Sequence, residues 1–209
     1  MQIIRKAFKQ LSKAKSIADV NNILTKLNVE EKYQMDDAKY PQIEFKITKD
    51  EIRELRNQGL LNESNLISNV SNQNTLTRLL YAIAWKNGDL KKIHHIVDGI
   101  ESKEDDEKKN AFVFYQFGKY LTKQPGEPII DQHVLRAYGI FKALKKDDKR
   151  EIERLTTLSE VTKKEKNLIE DYKNWLKEGL SDELRKYEDY TYHVDKVLFA
   201  LGKKVKVKK

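Results

Sequence analysis

The chain has 209 residues, of which 39% are hydrophobic and 35% charged, and its formal net charge is +8. That length supports a buried core in one or two domains, and the composition describes a strongly helical protein with a charged surface. With 0 Cys, disulfides and thiolate-bound iron–sulfur clusters are excluded; no apolar run reaches the length of a bilayer span, and the basic excess favours polyanion partners, because phosphate binding releases counterions.

The first residues mix Arg5, Lys6, Lys9 and Lys13 among apolar positions. They read as an amphipathic helix and not as a signal peptide, which makes an intracellular, cytoplasmic location the expectation. Residues 2–14 and 16–27 form a helical pair, the second capped by Ser16 and facing inward through Ile17, Val20, Ile23, Leu24 and Leu27. Residues 28–47 break the pattern, and the alternation of Ile43, Phe45 and Ile47 fits a short strand or an ordered loop. Thr48 with Glu51 is a capping box, starting a helix that stops near Gly59. Residues 57–74 are Asn/Ser-rich and read as the most mobile interior segment, with one helical turn around 61–70.

Leu76, Leu79, Leu80 and Ile83 line the next helix, and Leu90, Ile93, Val97 and Ile100 the one after it. On that second helix His94 and His95 are adjacent, point to different faces and lack the i, i+4 histidine partner of a zinc site. No metal or other cofactor is therefore expected. Residues 111–117 are apolar except for Gln116, which predicts a helix buried on most sides. Pro125-Gly126 signals a type II turn, and Pro128 holds the following residues extended. Asp131 then occupies an N-cap position ahead of Val134, Leu135, Tyr138, Phe141 and Leu144.

A charged helix begins near Asp147, and Leu168, Ile169, Tyr172, Trp175 and Leu176 mark another, closed by Gly179. Ser181 caps a last helix that runs through Leu184, Val194, Val197, Leu198 and Leu201 to Gly202. Trp85 and Trp175 read as core anchors. In the 203–209 tail, Lys203, Lys204, Lys206, Lys208 and Lys209 face no acid, which suits either phosphate tracking or a solvated end. The sum is an all-α chain with a loop-rich insertion in its first third.

The string Pro128-Ile-Ile-Asp131-Gln-His133-Val-Leu-Arg136-Ala-Tyr-Gly139 resembles the P-x-x-D-x-H-V-x-R segment of the helix–hairpin–helix DNA glycosylase superfamily. Trp85-Lys86-Asn-Gly88-Asp-Leu90 and the closing Val194-Asp195-Lys196 segment resemble a divergent branch of it. The resemblance covers mainly residues 76–144. It implies a single two-lobed helical unit, with lobes near 30–128 and 1–29 plus 129–202. It also implies duplex DNA as partner, a flipped base and N-glycosidic cleavage with Asp131 as the catalytic carboxylate. His133, Arg136, Lys119, Lys203 and Lys204 are the residues expected to contact nucleic acid; Arg136 is alternatively a salt-bridge partner of Glu127.

Lys109 stands roughly where members that also nick the backbone keep a Schiff-base lysine. Its spacing to Asp131 is a few residues longer, which favours a monofunctional enzyme. The expected phosphate-gripping hairpin is replaced by residues 99–109, with no paired glycines and five acids against three lysines. A non-catalytic DNA-binding or protein-interaction descendant, and an enzyme acting on a free nucleoside-type molecule, are therefore the alternatives.

Overall fold

The computed structural model describes residues 1–103 and 111–207. Among these it is all-helical: eleven α-helices and no strand, with one isolated antiparallel bridge between Leu61 and Ile67. The chain divides into two compact units, Met1–Gln42 with Lys123–Lys209, and Ile43–Thr122. Residues 30–42 and 123–128, expected with the central lobe, thus belong with the termini.

The first unit holds α1 (Gln2–Leu11), α2 (Ile17–Lys26), α7 (Gln132–Lys145), α8 (Lys149–Thr156), α9 (Lys166–Glu178), α10 (Asp182–Arg185) and α11 (Tyr190–Lys204). Helix α7 is central: every residue from Val134 to Ile140 is buried, with α1, α8, α9 and α11 packed around it. Full burial of Leu135 and Ile140 stabilises the unit by roughly 1.5–3 kcal/mol each. Two close approaches fix this arrangement. A Cβ at Gly139 would collide with Leu155, and one at Gly202 would overlap the His133 carbonyl, so α11 lies directly on the first turn of α7. Gly202 is an interior helical residue, not the terminator expected from the sequence.

The local signals were accurate where a side chain caps its own helix. Ser16 caps α2, in a reciprocal capping box with Asp19; Asp148, not singled out by sequence, caps α8. The last expected helix is two: Ser181 caps only the short α10, and α11 starts afresh after Lys186–Asp189. The basic end is not a free tail either, since Lys203 and Lys204 are helical and the Val207 amide donates to the Thr156 carbonyl.

The second unit holds α3 (Lys49–Asn57), α4 (Thr75–Lys86), α5 (Leu90–Glu101) and α6 (Phe112–Leu121). Thr48 and Glu51 make the expected capping box on α3. Residues 43–48 are coil; the Ile47 amide donates to the Leu121 carbonyl. The expected turn within 61–70 is replaced by the Leu61–Ile67 bridge and a 3-10 turn at Val70–Asn72. Helices α5 and α6 cross in backbone contact, where a Cβ on Gly99 or Gly118 would overlap the facing helix. Helix α6 has no exposed residue, but it is less deeply buried than α7: Phe112 to Tyr115 and Phe117 are only partly buried, and its fully buried residues include polar Gln116. Trp85 is no core anchor: it is 66% exposed, on the same helix as exposed Leu76, Leu79, Leu80 and Ile83.

Candidate functional site

The approach to α7 is built as the proline and glycine spacing dictates. The Glu127 amide donates to the Gln124 carbonyl at 3.2 Å, and Gly126 has φ +81°, the left-handed position of a type II turn. Residues 128–131 follow without helix or turn, and Asp131 is extended at φ −135° and ψ 155°. Its Oδ1 accepts the His133 amide at 2.5 Å, which makes it the N-cap of α7. The residue is half-buried at the N-terminus of the central helix of its unit, where free amides and the helix dipole favour an anion.

Behind this cap lies a second carboxylate. Asp195 on α11 is 1% exposed; its Oδ2 accepts the Ile129 amide at 2.8 Å and its Oδ1 the Tyr172 hydroxyl at 2.5 Å. It therefore ties the extended segment 128–131 to α9 and α11. Burial pushes its carboxyl up to about 8; the two donated hydrogen bonds oppose that shift and the Asp131 charge adds to it. Two donors aimed at a carboxylate would ordinarily favour the anion, but complete desolvation outweighs them here. Up to neutral pH Asp195 is accordingly neutral, and places no second negative charge behind Asp131.

This has a consequence for stability. The folded state keeps the Asp195 proton, whereas the unfolded chain releases it near the ordinary value of 3.8. The associated stabilisation is complete below about pH 4 and is lost as pH rises through about 8, at on the order of 1 kcal/mol per pH unit across that window. Asp195→Asn, which cannot ionise, should remove the decline. The melting temperature of the unsubstituted protein should fall relative to that of the variant between about pH 5 and pH 9; parallel curves would show that burial does not govern Asp195.

The residues expected to meet nucleic acid have different fates. His133 is half-buried, edge-on to Phe199 at 4.9 Å, with Nδ1 2.6 Å from an Arg136 nitrogen. Burial holds its imidazole below the usual range; Arg136, Lys206 and Lys203 act in the same direction and Asp131 against it. Arg136 is 0% exposed, so it is not a phosphate contact. Its guanidinium donates to the carbonyls of Gly202 and Leu158, while Glu127 pairs with buried Lys173 at 3.2 Å.

Lys203 is half-exposed, its ammonium 5.8 Å from the Phe199 ring, beside the same turn of α7. Lys204 is engaged with Glu30 at 3.1 Å and with the Tyr33 ring. Lys119 belongs to the other unit, its ammonium over the Tyr115 ring. Lys109 and most of the acidic stretch through Glu107 lie outside the described residues. Of the aromatic residues between Tyr187 and His193, Tyr190 and Tyr192 are buried in the fold and His193 bonds Asn21 and Asp189, whereas Tyr187 is 44% exposed.

Asp195, Tyr172, Phe199 and Lys206 were not singled out by sequence as parts of this site. For Asp195 there was a signal, a charged residue on the apolar face formed by Val194, Val197, Leu198 and Leu201. A separate groove of about 440 Å³ lies between α1, α7 and α9, floored by Phe8, Phe141 and Trp175 and rimmed by Arg5, Lys9 and Lys145. It involves the C-terminal end of α7, roughly 15–20 Å along the helix from Asp131 at 1.5 Å per residue. It is not the same site.

No family model, curated protein or solved structure matches the chain.

Proposed function

We propose that the chain is a DNA-binding, base-excision glycosylase-like protein that cleaves the N-glycosidic bond of a flipped modified or damaged base, with Asp131 as the catalytic carboxylate. One observation carries the reading. A half-buried carboxylate is held at the N-terminus of the central helix of its unit, two residues before His133, which feels the charges of Lys203 and Lys206, and buried Asp195 lies behind it. As a base departs, positive charge develops on the sugar ring, and a carboxylate fixed beside it lowers the energy of that oxocarbenium-like state. The cap bond fixes Asp131 through one oxygen and leaves the other to face the sugar or to orient a water. The attacking group in this reading is water and not Lys109. His133 and Arg136 support the turn from within, and the phosphate contacts fall to Lys203 and Lys206.

Duplex binding tests the DNA half of the proposal. Fluorescence anisotropy should show affinity falling linearly with the logarithm of salt concentration. The double substitution Lys203→Gln, Lys206→Gln should reduce that slope by about 1–2 while leaving the melting temperature unchanged. No binding even at low salt would overturn the reading. It would favour instead a protein-interaction descendant of the same fold, for which α4 offers the surface: Leu76, Leu79, Leu80, Ile83 and Trp85 are 51–66% exposed on one short helix, a concentration of apolar side chains typical of contact sites.

A further inference from the structure

Successive residues on a helix are separated by about 100°, so His94 and His95 taken alone diverge. Asp98 changes this, because it follows His94 by four residues and His95 by three, and so lies one turn on and between them. In the structure one ligand atom from each of the three side chains lies within 4.8 Å of the others. His94 Nε2 is 3.2 Å from Asp98 Oδ2, and the two imidazole centroids are 4.9 Å apart.

The carboxylate is positioned from outside the cluster. Asp98 is 4% exposed, and its Oδ1 accepts from Asn65 Nδ2 at 2.9 Å. Asn65 Oδ1 accepts from Arg56 Nε at 3.1 Å and Nη2 at 2.5 Å, and Arg56 is paired with Glu101. Asp98 Oδ2 is thereby directed at His94, while His94 Nδ1 is buried without a hydrogen-bond partner.

We propose that His94, His95 and Asp98 bind a divalent transition-metal ion of the zinc type. Two imidazole nitrogens and one carboxylate oxygen are the donor set that borderline ions prefer over magnesium or calcium. Two donors sharing one ion at zinc distances are separated by roughly 2.9–3.4 Å, which the His94–Asp98 pair already matches; half-exposed His95 closes by side-chain rotation. The Asn65–Arg56–Glu101 chain is the outer support that orients the carboxylate. Three protein ligands leave at least one position for water, and half-exposed His94 gives the ion a path from solvent.

The pair His193–Asp189 provides an internal control. It has the same four-residue spacing and the same 3.2 Å separation, but its Nδ1 is engaged by Asn21. Chelator-treated full-length protein titrated with Zn²⁺ alone, followed by calorimetry, should saturate at one ion per chain, with no comparable binding of Mg²⁺. Asp98→Asn keeps the acceptor for Asn65, and His95→Ala alters a half-exposed side chain; each should weaken Zn²⁺ binding by about tenfold or more. His193→Ala should leave it unchanged. Circular dichroism establishes that each variant is folded, and if Asp98→Asn is not, His95→Ala decides alone. Absence of saturable binding up to roughly 100 µM Zn²⁺, or binding that His95→Ala leaves intact, would overturn the proposal.

Discussion

Arg136→Ala should destabilise the protein by about 2–5 kcal/mol, lowering the melting temperature by roughly 5–15 °C. Three losses add. The side chain is fully buried, so its removal opens a cavity in the central helix of the unit. The carbonyls of Gly202 and Leu158 each lose a charged donor, and His133 Nδ1 loses its partner. Burial lowers the guanidinium's proton affinity, with Asp131 only partly opposing it, and Nε has no partner at all. Arg136 thus carries an unfavourable desolvation term that its hydrogen bonds offset. Arg136→Met restores much of the volume without the buried charge, and should recover part of the loss. Thermal denaturation of the two variants checks both statements. A phosphate-contacting arginine would behave otherwise: its alanine variant would bind DNA less tightly at an unchanged melting temperature.

Arg136 also shows what a sequence conceals. An arginine three residues past His133 on a helix has no local signal that distinguishes a solvent-facing side chain from one enclosed by α7, α11 and the Leu158 turn; burial is decided by elements 22 and 66 residues away. The features that were legible are those whose partners are close in sequence. Ser16, Thr48 and Asp131 each bond an amide two or three residues on, and each is readable as a cap. The all-α class followed from apolar periodicity in the same way.

Periodicity identifies a face but not its depth. The stripe on α4 is as regular as that on α5, yet it is exposed, whereas Val97 and Ile100 are buried. Residues 111–117 looked more deeply buried than the mixed sequence of α7, and the reverse holds. Gly202 read as a helix terminator because the sequence does not reveal that α11 must meet the His133 carbonyl. Asp195 was legible as an anomaly on an apolar face, but its bonds to Ile129 and Tyr172 were not.

In the proposed function Asp131 does chemistry beyond capping α7, and Asp131→Asn separates the two roles. Asparagine is as good an N-cap as aspartate, so the His133 amide stays satisfied and the melting temperature should remain close to that of the unsubstituted protein. What the substitution removes is the negative charge that, in the proposed reaction, stabilises an oxocarbenium-like sugar. Loss of one such electrostatic contact costs about 10²–10³ in rate. The decisive measurement is single-turnover base release from duplexes that each carry one modified or damaged base, with both proteins at equal, saturating concentration. The unsubstituted protein should release the base from at least one duplex, and Asp131→Asn should do so at a rate at least about 10²-fold lower with unchanged DNA affinity. Equal rates for the two proteins, or no release from any duplex by the unsubstituted protein, would contradict the proposed function and leave Asp131 as a helix cap alone.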